Sequence, residues 1–124
     1  MTVLLVRPGQ APKTVEIDGS LESMQALVGG LIQVLYPFED DAVALICNDE
    51  GKLLGLPLNR YLRDETGRPY DVIAGSFFLC SAPADSEDFE SLSEAEIIWY
   101  TEHFRQPEIF LSLDGRLICL PMEG

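Results

Sequence analysis

The chain has 124 residues, 47% of them apolar, and its 21 acidic side chains against 8 lysines and arginines give a formal net charge of −13. This length and apolar content are typical of one folded domain and argue against a disordered chain. The negative charge repels phosphate backbones and anionic membranes, which argues against direct nucleic-acid binding and against a membrane location. The same charge also keeps many proteins soluble without any particular ligand.

The three cysteines, Cys47, Cys80 and Cys119, each lie within or beside an apolar run and form no Cys-x-x-Cys pair. This placement is typical of small buried side chains in strands, and reduced thiols favour the cytoplasm. The first seven residues are too short for a secretory signal, and no apolar run approaches the ~20 residues of a membrane span. We therefore expect a cytoplasmic protein and predict no cofactor and no metal.

The first half of the chain alternates strand patterns with turn signals. Five strands are predicted there, over residues 2–7, 13–18, 31–36, 42–47 and 52–56. Ser20 is a suitable N-cap for a first helix, because its hydroxyl can accept a free backbone N–H, and Gly29-Gly30 would end that helix. Phe38–Asp41 is expected to form an acidic turn, and Asn48–Gly51 a hairpin turn.

The second half begins with a predicted short helix. Pro57 suits its first position, and Leu58, Tyr61 and Leu62 would share one face. Residues 70–81 then carry the longest strand signal, and Gly75 within it indicates a bulge or a close backbone approach.

A third helix and a final hairpin complete the predicted elements. Ser93 and Glu96 form a capping-box pattern, so the helix should run from there to about Phe104. His103, the single histidine, would act as a cation at the end of that helix. Asp-Gly between two apolar runs predicts the hairpin over residues 109–120.

Together these elements predict an α+β fold. We expect a single acidic domain over residues 1–124, with an antiparallel or mixed sheet of about six to eight strands and about three helices.

Two stretches carry a family resemblance: Asn48-Asp-Glu-Gly-Lys-Leu-Leu-Gly-Leu-Pro-Leu-Asn-Arg60 and Tyr70-Asp-Val-Ile-Ala-Gly-Ser-Phe77. They resemble a family of small proteins defined only as a domain of unknown function and met in phages, plasmids and genomes of anaerobic Gram-positive bacteria. The resemblance covers residues 1–106 and leaves the final hairpin as an extension. It implies an accessory protein of a mobile element, and it brings no activity, cofactor or catalytic residue.

Half of the lysines and arginines lie between residues 52 and 68. A guanidinium presents a planar fork that suits a carboxylate or a phosphate, and nearby amides add donors. A ligand site for a small anion such as a nucleotide is therefore predicted at Asn48, Asn59, Arg60 and Arg63. The alternative is structural: Asn48 caps the turn, Asn59 ties down a loop, and Arg60 pairs with a carboxylate of this acidic chain.

A cluster of acids lies in the loop over residues 85–90. Spaced carboxylates can bind a divalent cation, but the spacing here does not match a calcium loop, so a solvated loop is the simpler interpretation. Together with the acids Glu39, Asp40, Asp41, Glu94 and Glu96, this loop could also belong to a continuous negative surface that imitates the phosphates of DNA.

Enzymatic activity has little support, because the chain contains no Gly-x-Ser-x-Gly elbow and no phosphate-binding glycine loop. Trp99 and Tyr100 are expected in the core, although an exposed Trp99 would indicate a partner surface. The sequence thus favours a non-enzymatic accessory or regulatory module that acts through a protein partner. The alternatives are a binder of a small anionic ligand and, third, an acidic DNA mimic.

Overall fold

The computed structural model describes residues 1–38 and 41–121, and over this part the chain is mostly β, with nine strands and two helices. The strands are β1 (Thr2–Val6), β2 (Lys13–Glu16), β3 (Ile32–Leu35), β4 (Val43–Asn48), β5 (Leu58–Arg63), β6 (Pro69–Ala74), β7 (Phe77–Ser81), β8 (Glu108–Leu113) and β9 (Arg116–Pro121). The helices are α1 (Leu21–Val28) and α2 (Glu94–His103). Glu39 and Asp40, which the sequence assigns to an acidic turn and a negative surface, lie outside the described residues.

The strands form three antiparallel sheets. The largest has five strands in the order β2-β1-β7-β4-β3, while β5–β6 and β8–β9 are separate two-stranded ribbons. The three central strands of the large sheet, β1, β7 and β4, are buried almost throughout. Because both faces of this sheet are covered, its central strands are continuous apolar runs and do not alternate between apolar and polar residues.

Each face of the large sheet carries its own hydrophobic cluster. On one face, Met24 and Val28 of α1 pack against the sheet. On the other face, Tyr100 of α2 packs together with Leu62 and Ile73 of the β5–β6 ribbon. Besides α1 and α2, the β5–β6 ribbon is therefore the third element that covers the large sheet.

The predicted α+β class, with one sheet of about six to eight strands and about three helices, is wrong. The nine described strands form three antiparallel sheets, and the segment expected to be the second helix is strand β5. It pairs with β6 through a turn in which Asp64 accepts N–H groups of Thr66 and Arg68 and in which Gly67 has a positive φ of 85°. The same Thr66–Pro69 stretch that suggests a helix end is thus a hairpin turn. The spacing of the apolar residues fitted a helix, but pairing with β6 decides the structure.

Two predicted strands also need correction. Residues 52–55 form turns and not a strand, and the Leu56 N–H donates to the Gly51 carbonyl. The long strand over residues 70–81 is two strands, β6 and β7, because Gly75 takes a positive φ of 84° and sends the chain from the ribbon into the large sheet. The sequence predicts a bulge or a close backbone approach at Gly75, but the close neighbour is a side chain: a Cβ added there would lie 2.8 Å from Leu56 Cδ1.

The capping box of α2 and the turn of the final hairpin are confirmed. The Glu96 N–H donates to Ser93 Oγ at 3.1 Å and the Ser93 N–H donates to Glu96 Oε1 at 2.8 Å, which completes the capping box of α2. The final hairpin turns at Asp114 and Gly115, both with positive φ as primed turns require. Neither described helix is long and apolar enough to cross a membrane.

We predict that Gly75→Ala lowers the free energy of unfolding by about 2–3 kcal/mol, because alanine disfavours this φ and its Cβ would contact Leu56. Gly67→Ala is the matched control, since Gly67 has nearly the same φ but open space around it. That control should lose only about 1 kcal/mol in urea denaturation. Equal losses for the two variants would contradict a tight packing of Leu56 on Gly75.

Candidate functional site

Asn59 and Arg60 are neighbours in β5, and both side chains are buried. Strand residues normally alternate between two faces, but the register of β5 shifts between Leu58 and Arg60, so that Asn59 is an extra residue opposite β6. Such a bulge re-aims side chains. It therefore explains how two consecutive polar side chains lie inside the same domain.

The Arg60 guanidinium is 1% exposed and donates five hydrogen bonds to oxygen atoms of the chain. Nε and Nη2 donate to the Phe104 carbonyl at 3.3 and 3.0 Å, and Nη2 also donates to the Gln10 carbonyl at 2.6 Å. Nη1 donates to Asn59 Oδ1 at 2.8 Å and to the Asn59 carbonyl at 3.4 Å. Arginine has five N–H groups, so this set engages them all.

The positive charge of Arg60 is balanced by main-chain dipoles. Among the described residues no carboxylate lies within ion-pair distance of the guanidinium. Phe104 is the C-cap of α2, and the carbonyls at a helix C-terminus carry partial negative charge. Burial lowers the pKa of Arg60, and the charge of Glu108 opposes this shift. An arginine remains protonated under these conditions.

Asn59 extends the same network to two more segments. Its Nδ2 donates to the carbonyls of Val6 and Gly75, each at 2.9 Å, while its Oδ1 accepts from Arg60. Together, Asn59 and Arg60 connect β1, the turn after it, the junction between β6 and β7, and the end of α2. We call these two side chains and their carbonyl partners the Arg60 hub.

Asn48 lies in a different part of the fold. Its Nδ2 donates to the Val28 carbonyl at the end of α1 at 3.1 Å, and its Oδ1 accepts the Glu50 N–H at 2.8 Å. A small hollow of about 130 Å³ lies beside it. Burial raises the pKa of the neighbouring Cys47 to about 11, which keeps that thiol protonated.

Arg63 is anchored by Glu108 of the C-terminal hairpin. Its Nη1 donates to Glu108 Oε1 at 2.7 Å, and Glu108 Oε2 accepts the Tyr61 N–H at 3.0 Å from the edge of β5. The Cys119 thiol donates to the same carboxylate, and burial together with that contact raises its pKa to about 11. The hairpin thus docks on β5 through one mostly buried carboxylate.

A groove of about 880 Å³ lies on the surface of the described part of the chain. Three segments line it: the chain after β3, the turn of the β5–β6 ribbon, and the outer side of α2. Its aromatic and charged lining residues are Tyr36, Phe38, Asp41, Arg63, Asp64, Glu65, Tyr70, Trp99 and His103. We call it the aromatic groove.

Ring packing fixes one wall of the aromatic groove. Trp99 stacks on His103 with 5.0 Å between centroids and 14° between planes, and Phe38 meets His103 edge-on at 5.8 Å. Phe38 also packs on Tyr100 at 4.7 Å, and the Tyr100 hydroxyl donates to Asp41 at the rim. This wall continues into the core through Tyr100.

His103 is not the cation that the sequence predicts. Burial among these rings lowers its pKa, and the nearby charge of Arg63 lowers it further. The imidazole is therefore neutral at neutral pH, where its ring supports Trp99.

The predicted ligand residues do not form one cluster. Asn59 and Arg60 lie together in the hub, Asn48 is at the end of α1, and only Arg63 reaches the aromatic groove. The alternative that Arg60 pairs with a carboxylate is corrected, because its partners are carbonyl oxygens.

Sequence reasoning missed the aromatic wall, since it placed Trp99 in the core, whereas this side chain is 54% exposed. The available signal was the spacing in α2. Trp99 and His103 are four residues apart, as are Tyr100 and Phe104, which makes two adjacent aromatic stripes on one helix. One stripe is buried and the other forms the groove wall.

The fold and groove define a small, mostly β domain with a hub of buried polar side chains. The family model described as "Domain of unknown function (DUF3846)" matches residues 1–105, so the chain belongs to this family. The match includes every described residue that lines the aromatic groove and ends before the C-terminal hairpin. No curated protein and no solved structure gives a significant match.

We predict that Arg60→Met destabilises the domain by about 3 kcal/mol, because the carbonyls of Gln10 and Phe104 lose their charged donors inside the protein. Arg68→Met is the control, as Arg68 is exposed, and it should change stability by less than about 0.5 kcal/mol. Urea denaturation of both variants measures the difference. Equal midpoints would show that the hub does not hold the fold together.

Proposed function

We propose that this domain is a non-enzymatic binding module that docks a protein partner in the aromatic groove. The observation that carries the proposal is the exposure of Tyr36 and Trp99, 62% and 54%, around one concave surface. Tryptophan, tyrosine and arginine dominate the binding energy of protein interfaces, usually from the centre of the contact. A large exposed apolar patch also indicates an interaction surface.

The rigidity of the wall supports the same function. Trp99 is held against His103, which packs on Phe38 and Phe104. Side chains that are already ordered lose little entropy when a partner binds. The aromatic groove is therefore ready to bind without rearrangement of α2.

The charge of the groove favours a protein over a nucleotide. Its described lining has three carboxylates, from Asp41, Asp64 and Glu65, against Arg63, which is paired with Glu108. The N–H groups of Arg60 are engaged within the hub. Binding of a small anion and imitation of DNA stay predictions from the sequence, as does the phage or plasmid origin that the resemblance implies.

The test uses tagged protein expressed in the source organism and quantitative affinity purification. Trp99→Ala and Tyr36→Ala should each reduce recovery of a specific partner about tenfold, because truncating an interface aromatic typically removes more than 1 kcal/mol. Leu53→Ala is the control, since Leu53 is 88% exposed but does not line the aromatic groove. Partners recovered equally with all three variants would contradict the proposal.

A further inference from the structure

The aromatic groove combines open ring faces with a negative rim. This inference rests on the proposed function and concerns what the same groove recognises. His103 stacks on one face of the Trp99 indole and the Tyr100 ring packs on it in a T-shaped contact, yet Trp99 remains 54% exposed. Tyr36 adds a second exposed ring. The face of an indole or a phenol carries negative electrostatic potential and attracts cations.

The carboxylates at the rim strengthen this potential. Asp64 stays ionised, because the Thr66 hydroxyl and the backbone N–H of Arg68 hold its pKa below the usual range. Asp41 is positioned by the hydroxyl of Tyr100, and Glu65 lies in the exposed turn next to Asp64. Three carboxylates thus line the same groove as the two exposed rings.

The cationic residue of the groove does not cancel this field. Arg63 donates to Glu108 at 2.7 Å, so its charge is offset by a carboxylate just outside the lining. His103 is neutral at neutral pH for the reasons given above. The net charge of −13 adds a long-range attraction for positive partners.

We propose that the aromatic groove recognises a lysine or arginine side chain in an exposed basic segment of the partner protein. The charged end lies against the Trp99 face within reach of the rim carboxylates, and the aliphatic stem packs along Tyr36. A guanidinium or ammonium placed over an aromatic ring gains most when its counter-charge is nearby and water is partly excluded. The same carboxylates would repel an anionic group.

Trp99 reports on this contact directly, because it is the single tryptophan of the chain. We would titrate the full chain with a blocked five-residue peptide carrying a central arginine and follow tryptophan fluorescence and the indole N–H signal by NMR. The control peptide replaces arginine by citrulline, which has a similar shape without the charge. The arginine peptide should give a saturable change that weakens with salt, and citrulline should bind about tenfold more weakly.

A pair of double variants distinguishes the effect of the carboxylates in the groove from the effect of the net charge of the chain. Asp64→Asn with Glu65→Gln should weaken binding of the arginine peptide about fivefold at low salt, because two nearby negative charges are removed. Glu87→Gln with Asp88→Asn changes the net charge equally but lies around a different hollow, and it should leave the affinity nearly unchanged. Equal effects of the two double variants would overturn the inference.

The outcomes also distinguish this inference from the proposed function. If arginine and citrulline peptides bind alike, or if AMP binds better than either, the cation proposal fails whatever the partner experiment shows. If the arginine peptide binds at Trp99 but the Trp99→Ala variant still recovers the natural partner, the cation site stands and the proposed partner-docking role fails.

Discussion

Arg60 places a guanidinium inside the domain, where it donates to the carbonyls of Gln10 and Phe104 and to both oxygens of Asn59. Because these acceptors come from segments far apart in sequence, the hub fixes how β5 lies against the loop after β1 and against the end of α2. A lysine could not replace it, since one ammonium cannot reach carbonyls in so many directions. The charge is tolerated there because the C-terminus of α2 supplies partial negative charge.

The geometry of the aromatic groove follows from this constraint. Phe104, whose carbonyl accepts two of the bonds, packs its ring on His103 and on Phe77 of the large sheet. His103 in turn supports Trp99. The end of α2 is thus fixed by two kinds of contact. Arg60 donates to its main-chain carbonyl, and aromatic rings pack against its side chains. A fixed α2 keeps the exposed indole in the same groove as the rim carboxylates, and the proposed cation site depends on this arrangement.

The features that could be predicted from sequence are those set by neighbouring residues. Ser93 and Glu96 define the start of α2, and Asp114-Gly115 defines the last turn, because each pattern acts within four residues. Strand β5 could not be predicted in this way. Its apolar spacing also fits a helix, and its true partners lie in β6 and in segments 44 to 53 residues away. The local excess of basic residues and the nearby amides select Asn59 and Arg60, but they do not show the structural role of these two residues.

The aromatic groove could not be predicted from the sequence for a related reason. Tyr36, Arg63 and Trp99 belong to three separate segments that meet only after the ribbon has folded onto the large sheet. The local excess of basic residues selects Arg63, whereas the sequence assigns Trp99 and Tyr100 to core packing. The sequence does not show which of the two aromatic stripes of α2 is buried and which is exposed. Only the packed structure distinguishes them.

The most direct test of this account is the solvent exchange of the arginine side-chain N–H groups, measured by ¹⁵N NMR on the intact chain. With the hub in place, the Arg60 Nε–H should exchange far more slowly than that of the exposed Arg68, and its signal should not shift when phosphate or AMP is added. Fast exchange at Arg60 together with a phosphate-dependent shift would contradict the hub and would show an arginine free to bind an anion.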